Sequence, residues 1–248
     1  MDWLFDLGNT RLKWACAADG EAGPARAFAH PSEAAVGALC PTLAAALAAS
    51  PRPERAVLAS VGGPARTAAL EALLDRLGVA RVRVASADGI GGLALAYADP
   101  ATLGVDRFLA LLAAHRRGPG PWLVASVGTA LTCDLLQAGR HLGGWIAPSP
   151  TLMREALAAR VPALEVPGGE AVAFAADTAG ALASGALAAA CGALEHAAAE
   201  AADALGAPPI LLLAGGGAEA VRARLRVPAT PAPSLVLEGL AAWAALSR

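Results

Sequence analysis

The stretch WLFDLGNTRLKWACA, residues 3–17, decides how the chain begins to fold. Two apolar segments flank Gly8-Asn9, and this arrangement is typical of a β-hairpin. Because side chains alternate between the two faces of a strand, Asp6 and Gly8 are expected on one face and the large apolar residues on the other. The stretch therefore predicts a hairpin that presents a carboxylate where its first strand ends.

Polar groups surround the predicted turn. Gly8 can take a positive φ and lets backbone N–H groups approach a ligand, while Lys13 adds a positive charge. These donors suit phosphate oxygens, whereas Asp6 would repel a phosphate unless a magnesium ion or its waters lay between them. The hairpin thus indicates a magnesium–nucleotide phosphate site. An ordinary polar hairpin with an Asx turn is the alternative that these residues leave open.

Composition and charge argue against several classes of function. The 248 residues carry a formal net charge of −2, which disfavours a broad nucleic-acid surface. Four cysteines occur without a CxxC pair, which disfavours a zinc site or a disulfide framework. The first residues lack the pattern of a signal peptide. The stretch 178–194 is mostly alanine and glycine, which favours a packed helix over a membrane span. We therefore expect a cytoplasmic protein with no membrane or nucleic-acid partner.

A motif near the start of the chain recurs in its second half. WLVASVGTALTC, residues 122–133, shares with the first hairpin a Trp-Leu pair, a glycine and a threonine after it. The segment 118–121 reads Gly-Pro-Gly-Pro and marks a boundary between the two stretches. Two related α/β halves are therefore expected, at 1–118 and 119–248. A chance match over so short a stretch is the alternative.

Strand-like and helix-like segments alternate along the rest of the chain. Strands are predicted at 55–61, 80–86 and 210–214, and helices at 34–49 with an interruption at Pro41, 65–77, 103–116, 151–159, 178–205 and near 234–247.

Two further segments carry candidate chemistry. Asp106 and Arg107 follow Gly104 at the first turn of an apolar helix. The plain interpretation is an acidic residue at the positive end of a helix dipole. The functional interpretation makes Asp106 a base that accepts a hydroxyl proton and Arg107 a clamp for a carboxylate. The glycines at 215–217 precede another helix, where either an anion or adenosine approaches the backbone or the chain simply turns tightly.

Taken together, the motifs resemble those of type III pantothenate kinases, members of the acetate and sugar kinase/Hsp70/actin superfamily. The resemblance runs nearly end to end and rests on DLGNTRLK (6–13), YADP with LGVDR (97–107), GTALTCD (128–134), GGWIAPS (143–149), DTAGALASG (177–185), GGG (215–217) and LVLEGL (235–240). It implies an α/β fold of two ribonuclease H-like (actin-like ATPase) halves, with mixed sheets flanked by helices and a cleft between the halves.

The resemblance also implies an activity and a set of residue roles. The activity is ATP-dependent phosphorylation of pantothenate to 4'-phosphopantothenate, the first step of coenzyme A biosynthesis, by a homodimer. ATP would be bound by Asp6, Leu7, Gly8, Asn9, Thr10, Arg11, Leu12, Lys13 and Thr129, with Mg²⁺ at Asp6 directly or through water. Pantothenate would be bound by Tyr97, Gly104, Val105, Asp106, Arg107 and Thr178, with Asp106 as the catalytic base.

The sequence departs from the family at two positions. The family's Asp-x-Gly-Thr is Ser126-Val127-Gly128-Thr129 here, and that aspartate helps to hold a potassium or ammonium ion. Monovalent-cation dependence is therefore expected to be lost, altered or supplied by Asp134. Ser149 replaces a glycine and leaves room for a different local turn. A non-catalytic accessory or regulatory relative is the alternative function, and a phosphatase of the same superfamily is a third hypothesis.

Overall fold

The computed structural model describes residues 1–30 and 33–248, with the backbone alone described over 33–40. The chain divides into two compact units. The first unit comprises Met1–Gly118 and Ser234–Arg248, and the second comprises Pro119–Pro233.

The elements follow one another in a mixed α/β order. The first unit contains β1 (Asp2–Leu7), β2 (Arg11–Ala18), β3 (Glu21–Ala22), β4 (Arg26–Ala29), α1 (Glu33–Ala48), β5 (Arg55–Ser60), α2 (Pro64–Arg76), β6 (Arg81–Arg83), 3₁₀ turns at Ile90–Gly92 and Pro100–Thr102, and α3 (Val105–Arg116). The second contains β7 (Trp122–Val127), β8 (Ala130–Gln137), β9 (Arg140–Pro148), α4 (Pro150–Arg160), a 3₁₀ turn at Pro162–Leu164, α5 (Thr178–Leu205), β10 (Ile210–Ala214), α6 (Ala218–Arg222) and β11 (Ala229–Pro231). The chain ends in α7 (Leu235–Leu246), which returns to the first unit.

The predicted hairpin is the centre of the first sheet. Strands β1 and β2 pair antiparallel, and β1 also pairs in parallel with β5, within the order β3-β2-β1-β5-β6. The large apolar side chains of the hairpin point to one face, where Trp3 and Trp14 meet edge to face at 6.2 Å between ring centroids. That face packs against α1 and α2 through Leu43, Leu47 and the leucines of α2. Asp6 therefore lies on the opposite face, as the alternation predicts.

The second sheet repeats this topology. Its order is β11-β10-β7-β8-β9, so that an antiparallel hairpin, β7–β8, again has a parallel neighbour, β10, beside its first strand. The core of this unit lies between the sheet and α5, where Leu187, Ala190 and Leu194 meet the strand residues Leu123 and Leu211. The similarity between the two sequence segments thus corresponds to one strand arrangement that occurs in both units.

The C-terminal helix differs from the predicted division of the chain. The second half was expected to run to residue 248, whereas Ser234–Arg248 belongs to the first unit. Helix α7 packs closely on α3, because a Cβ on Gly239 would lie 2.0 Å from the carbonyl oxygen of Leu109. An ion pair of 2.5 Å between Arg117 and Glu238 adds a second link between these helices.

Among the described residues, one helix, α5, is long and apolar enough by length and composition to cross a membrane. One side of α5 instead forms part of the core of the second unit, through buried residues such as Ala186, Cys191 and Ala197. Its ends are well defined, since Asp177 accepts a hydrogen bond from the Gly180 N–H and Gly206 ends the helix with φ 69°. These features are those of a core helix.

Several boundaries differ from the sequence-based expectations. Helix α1 continues through Pro41, although an interruption was expected there. Helix α3 begins at Val105 rather than Leu103, because Gly104 occupies the N-cap. The strand expected at 80–86 is limited to Arg81–Arg83, which pairs with β5 alone. Strand β9 was not expected as a strand, because its Gly143-Gly144 pair and Pro148 are typical turn residues.

Candidate functional site

Asp6 and Lys13 face each other across the first hairpin. The register of β1 and β2 makes them direct partners, so their side chains project from the same face of the sheet. Burial raises the pKa of Asp6 to about 6, and the nearby Lys13 ammonium opposes this rise. The Asp106 carboxylate raises the pKa of Asp6 further. Asp6 is therefore a partly buried carboxylate that interacts with one positive and one negative group.

The turn between the strands is short and polar. The Gly8 N–H donates to the Arg11 carbonyl oxygen at 3.0 Å and closes it, while Asn9 and Thr10 are exposed. Gly8 does not use a positive φ, contrary to one reason given for it from the sequence. Its Cβ position would be 3.3 Å from the Arg11 carbonyl oxygen, so a tight turn is sufficient reason for the glycine. The exposed backbone around residues 9 and 10 remains available to a ligand.

Asp106 lies in the first turn of α3, on the unit that carries the hairpin. Its Oδ1 accepts a hydrogen bond from the Arg107 backbone N–H at 2.9 Å, which fixes the carboxylate at the start of the helix. A Cβ on Gly104 would lie 2.7 Å from the same oxygen, so the glycine gives the carboxylate its space. Because Asp106 affects the pKa of Asp6, the structure brings these two predicted site residues together.

Arg107 is held by Tyr97. The guanidinium Nη1 donates to the Tyr97 hydroxyl at 3.0 Å, and the guanidinium carbon lies 5.7 Å from the centroid of the tyrosine ring. Arg107 is only 6% exposed, which makes it an unusually buried cation. The orientation of this guanidinium is therefore set before any substrate binds, as a clamp for a carboxylate requires.

In the second unit, the β7–β8 turn presents Thr129. The Gly128 N–H donates to the Ala130 carbonyl oxygen at 2.9 Å, and the Thr129 side chain is exposed. Ser126 is half-buried and pairs in register with Thr132, so two neutral hydroxyl groups occupy this end of the strands. Neither hydroxyl group carries the negative charge that would pair with a monovalent cation.

Asp134 is the residue that could supply that charge. It is buried and forms a hydrogen bond of 3.0 Å with Nε2 of the equally buried His141. This hydrogen bond engages one oxygen of the carboxylate, and the two groups at the strand ends, Ser126 and Thr132, are neutral, so the residues present fit a potassium or ammonium site poorly.

Mg²⁺ fits the first unit better. The described residues contain no group of three or more histidine, cysteine, aspartate or glutamate side chains that could hold a metal ion by themselves. Mg²⁺ in phosphoryl-transfer sites characteristically takes one or two carboxylates, substrate phosphates and water. Asp6, whose pKa is raised by burial and by a second carboxylate, matches that donor set.

The structure also places three other positions that the sequence analysis named. Ser149 has φ −70° and caps α4, because its Oγ accepts a hydrogen bond from the Leu152 N–H at 3.2 Å. The position therefore needs no glycine. Thr178 is the exposed first residue of α5. A Cβ on Gly215 would lie 2.3 Å from the Val127 carbonyl oxygen, so tight packing accounts for this glycine without a ligand.

Sequence reasoning missed one turn that touches the hairpin. Residues 61–63 connect β5 to α2, and a Cβ on Gly62 would lie 2.7 Å from the carbonyl oxygen of Gly8. The signal in the sequence was Gly62-Gly63-Pro64 directly after a buried strand, which was interpreted only as a connection.

The fold defines a class of protein. Two sheets that share one strand order and are flanked by helices form the fold of actin-like ATPases and sugar kinases. Solved structures agree on the fold. The chain is similar to the inorganic polyphosphate/ATP-glucomannokinase of Arthrobacter sp. strain KM, with a TM-score of 0.50, 17% identity and coverage of 99% of this chain and 98% of that one. It is also similar to component A of the Acidaminococcus fermentans (R)-2-hydroxyglutaryl-CoA dehydratase, with a TM-score of 0.52, 12% identity and coverage of 100% and 99%.

Sequence comparison gives the family. The family model described as type III pantothenate kinase matches residues 3–200. A type III pantothenate kinase of Xanthomonas oryzae pv. oryzae (strain PXO99A) is 49% identical over 245 residues, which cover 98% of this chain and 97% of the relative. The chain belongs to the type III pantothenate kinase family and is a phosphotransferase.

Proposed function

We propose that this protein transfers the γ-phosphoryl group of ATP to the primary hydroxyl of pantothenate, as its family name indicates, and so begins coenzyme A biosynthesis. The observation that carries the proposal is the arrangement of Asp6, Lys13 and Asp106, which interact within one unit of the fold. Phosphoryl transfer depends mainly on positioning and on neutralising charge, and these residues can supply both.

In this proposal the first hairpin binds the phosphates of ATP. Backbone N–H groups of residues 9 and 10 and the Lys13 ammonium meet the phosphate oxygens, and Asp6 would hold Mg²⁺ directly or through water. Bound there, Mg²⁺ would neutralise phosphate charge. Thr129 of the second hairpin is proposed as a further ATP contact, since its exposed hydroxyl follows a turn glycine in the same way.

Asp106 is the proposed base and Arg107 the proposed carboxylate clamp. As the pantothenate hydroxyl oxygen forms its bond to the γ-phosphorus, the bond from that phosphorus to the bridging oxygen of ADP breaks. The hydroxyl proton passes to the Asp106 carboxylate. Arg107, held by Tyr97, pairs with the pantothenate carboxylate and sets the distance between that end and the hydroxyl. Thr178 is proposed as an additional pantothenate contact.

The proposal includes a homodimer. Phe174, immediately before α5, is 98% exposed, and Trp145 of β9 is 44% exposed and stacks on His196 of α5. Exposed aromatic side chains such as these support the proposal of an interaction site. Among the small residues of α5, Gly192 has open space around its Cβ position, whereas Gly180 is buried within its own chain. We also propose that the enzyme acts in the cytoplasm.

The test is an ADP-release assay on the purified protein with and without pantothenate, combined with mass analysis of the product. The proposal predicts ADP formation that requires pantothenate, and one phosphorylated pantothenate for each ADP. Release of inorganic phosphate without an acceptor would indicate a phosphatase. Nucleotide binding without turnover would indicate a regulatory relative.

A further inference from the structure

The β5–α2 turn, residues 61–63, lies directly against the first hairpin. The Val61 N–H donates to the Leu7 carbonyl oxygen at 3.0 Å, which extends the parallel pairing of β1 and β5 to the end of the strand. The next residue, Gly62, has no space for a side chain, since its Cβ position would be 2.7 Å from the Gly8 carbonyl oxygen and 3.0 Å from Leu7 Cγ. The turn therefore defines how far the Gly8 backbone can move toward β5.

Side chains of α2 hold both glycine carbonyls of this turn. Arg66 Nη1 donates to the Gly62 carbonyl oxygen at 3.0 Å. Thr67 Oγ1 donates to the Gly63 carbonyl oxygen at 2.7 Å and forms a second hydrogen bond of 2.7 Å with Ser60 Oγ. Thr67 is only 4% exposed, so these bonds are shielded from water. The turn is thus attached to the body of the unit rather than free to follow the hairpin.

The second unit contains an equivalent contact between a turn and a hairpin. The turn after β10 packs on the end of β7, where the Gly217 N–H donates to the Val127 carbonyl oxygen at 2.9 Å. Gly215 and Gly217 leave the space that their side chains would take from Val127. In both units, therefore, the turn that follows the parallel neighbour supports the hairpin at its bend.

We infer that Gly62, Arg66 and Thr67 are positioning residues for ATP. The β5–α2 turn holds the Gly8 backbone where the triphosphate meets it, and this inference rests on the proposed ATP site at the first hairpin. Its function is distinct from that of Asp106 and Arg107, because it acts on the nucleotide side of the reaction. Disturbing the turn is therefore expected to weaken ATP binding without affecting pantothenate binding.

The first test is Gly62→Ala, with Gly78→Ala as the control. Gly62 has no positive φ, so alanine adds no backbone strain there, but its methyl group must displace the Gly8 carbonyl. We expect KM for ATP and the dissociation constant of ATP to rise about 10-fold to 100-fold, with KM for pantothenate nearly unchanged. Gly78, just beyond the other end of α2, has φ +65°, so alanine strains the fold far from the hairpin and should leave KM for ATP unchanged.

A second pair of variants keeps the inference testable if Gly62→Ala does not fold. Thr67→Val removes the hydroxyl but keeps the shape, whereas Thr67→Ser keeps the hydroxyl. We expect KM for ATP to rise in the valine variant and to return toward the wild-type value in the serine variant. Equal KM values for ATP in Gly62→Ala, Thr67→Val and the wild type would overturn the inference, even if the wild type phosphorylates pantothenate. If the wild type lacked that activity, nucleotide titration of the same variants would still decide the inference separately.

Discussion

Replacing Asp106 with asparagine tests the proposed base at a position where the fold should survive. The carboxylate Oδ1 accepts the Arg107 backbone N–H at 2.9 Å, and the asparagine carbonyl can accept the same bond. Asparagine also fits the space that Gly104 leaves. Loss of the charge at the helix N-terminus should cost about 0.3–1 kcal/mol of folding stability, and loss of its repulsion with Asp6 should offset part of that cost.

The catalytic loss should be much larger. General-base catalysis contributes about 10²–10⁴-fold, which corresponds to about 2.7–5.5 kcal/mol of transition-state stabilisation. We expect kcat to fall by that factor while KM for pantothenate changes little, because Arg107 and Tyr97 are untouched. The assay is pantothenate-dependent ADP release, with thermal unfolding measured on the same preparation.

Asp99→Asn is the matched control. Asp99 also caps a short helical turn, since its Oδ1 accepts the Ala101 N–H at 3.1 Å, and it lies in the same segment of chain without a proposed catalytic role. Its substitution should leave kcat within about twofold of the wild type, as is usual for exposed positions. A folded Asp106→Asn protein with a near-normal kcat would remove Asp106 as the base.

Three further predictions address ATP, the pantothenate carboxylate and the monovalent cation. Lys13→Met should raise KM for ATP roughly 10-fold or more, because it removes the ammonium opposite Asp6; an unchanged KM for ATP in steady-state kinetics would argue against the hairpin as the phosphate site. Arg107→Lys should raise KM for pantothenate by about 10-fold or more, because lysine offers neither the planar fork nor the contact with Tyr97; equal kcat/KM values would contradict this. The wild-type rate should differ little among sodium, potassium and ammonium chloride at equal ionic strength. The Ser126→Asp variant should instead be faster in potassium chloride. A strong requirement of the wild type for potassium or ammonium would show that another group supplies the missing charge.

Much of the fold could be predicted because strong local patterns decide it. The hairpin of residues 3–17 has two apolar segments around a turn signal, and α5 has a capping aspartate at one end and a glycine at the other. Strand β9 was missed because its register is fixed by pairing with β8, while its own residues favour turns. The position of α7 was missed for a similar reason, since its packing on α3 depends on contacts between distant parts of the chain.

The candidate site also combines features that the sequence predicts with contacts that depend on how distant segments of the chain pack. Asp6 and Lys13 could be named as site residues from the sequence, but a two-residue turn at Gly8-Asn9 would set Asp6 opposite Arg11, whereas the observed register sets it opposite Lys13. The approach of Asp106 to Asp6 could not be derived from spacing, because it depends on how α3 packs against the sheet. The hydrogen bond between Asp134 and His141 could not be derived from the sequence either, because it depends on how β8 pairs with β9.

The most direct test of the central claim is a crystal structure with a non-hydrolysable ATP analogue and pantothenate bound. We predict the triphosphate against the backbone of residues 8–10 and Lys13, and the primary hydroxyl of pantothenate about 2.6–3.2 Å from an Asp106 carboxylate oxygen. A triphosphate bound away from the first hairpin, or a pantothenate hydroxyl out of reach of Asp106, would contradict the account.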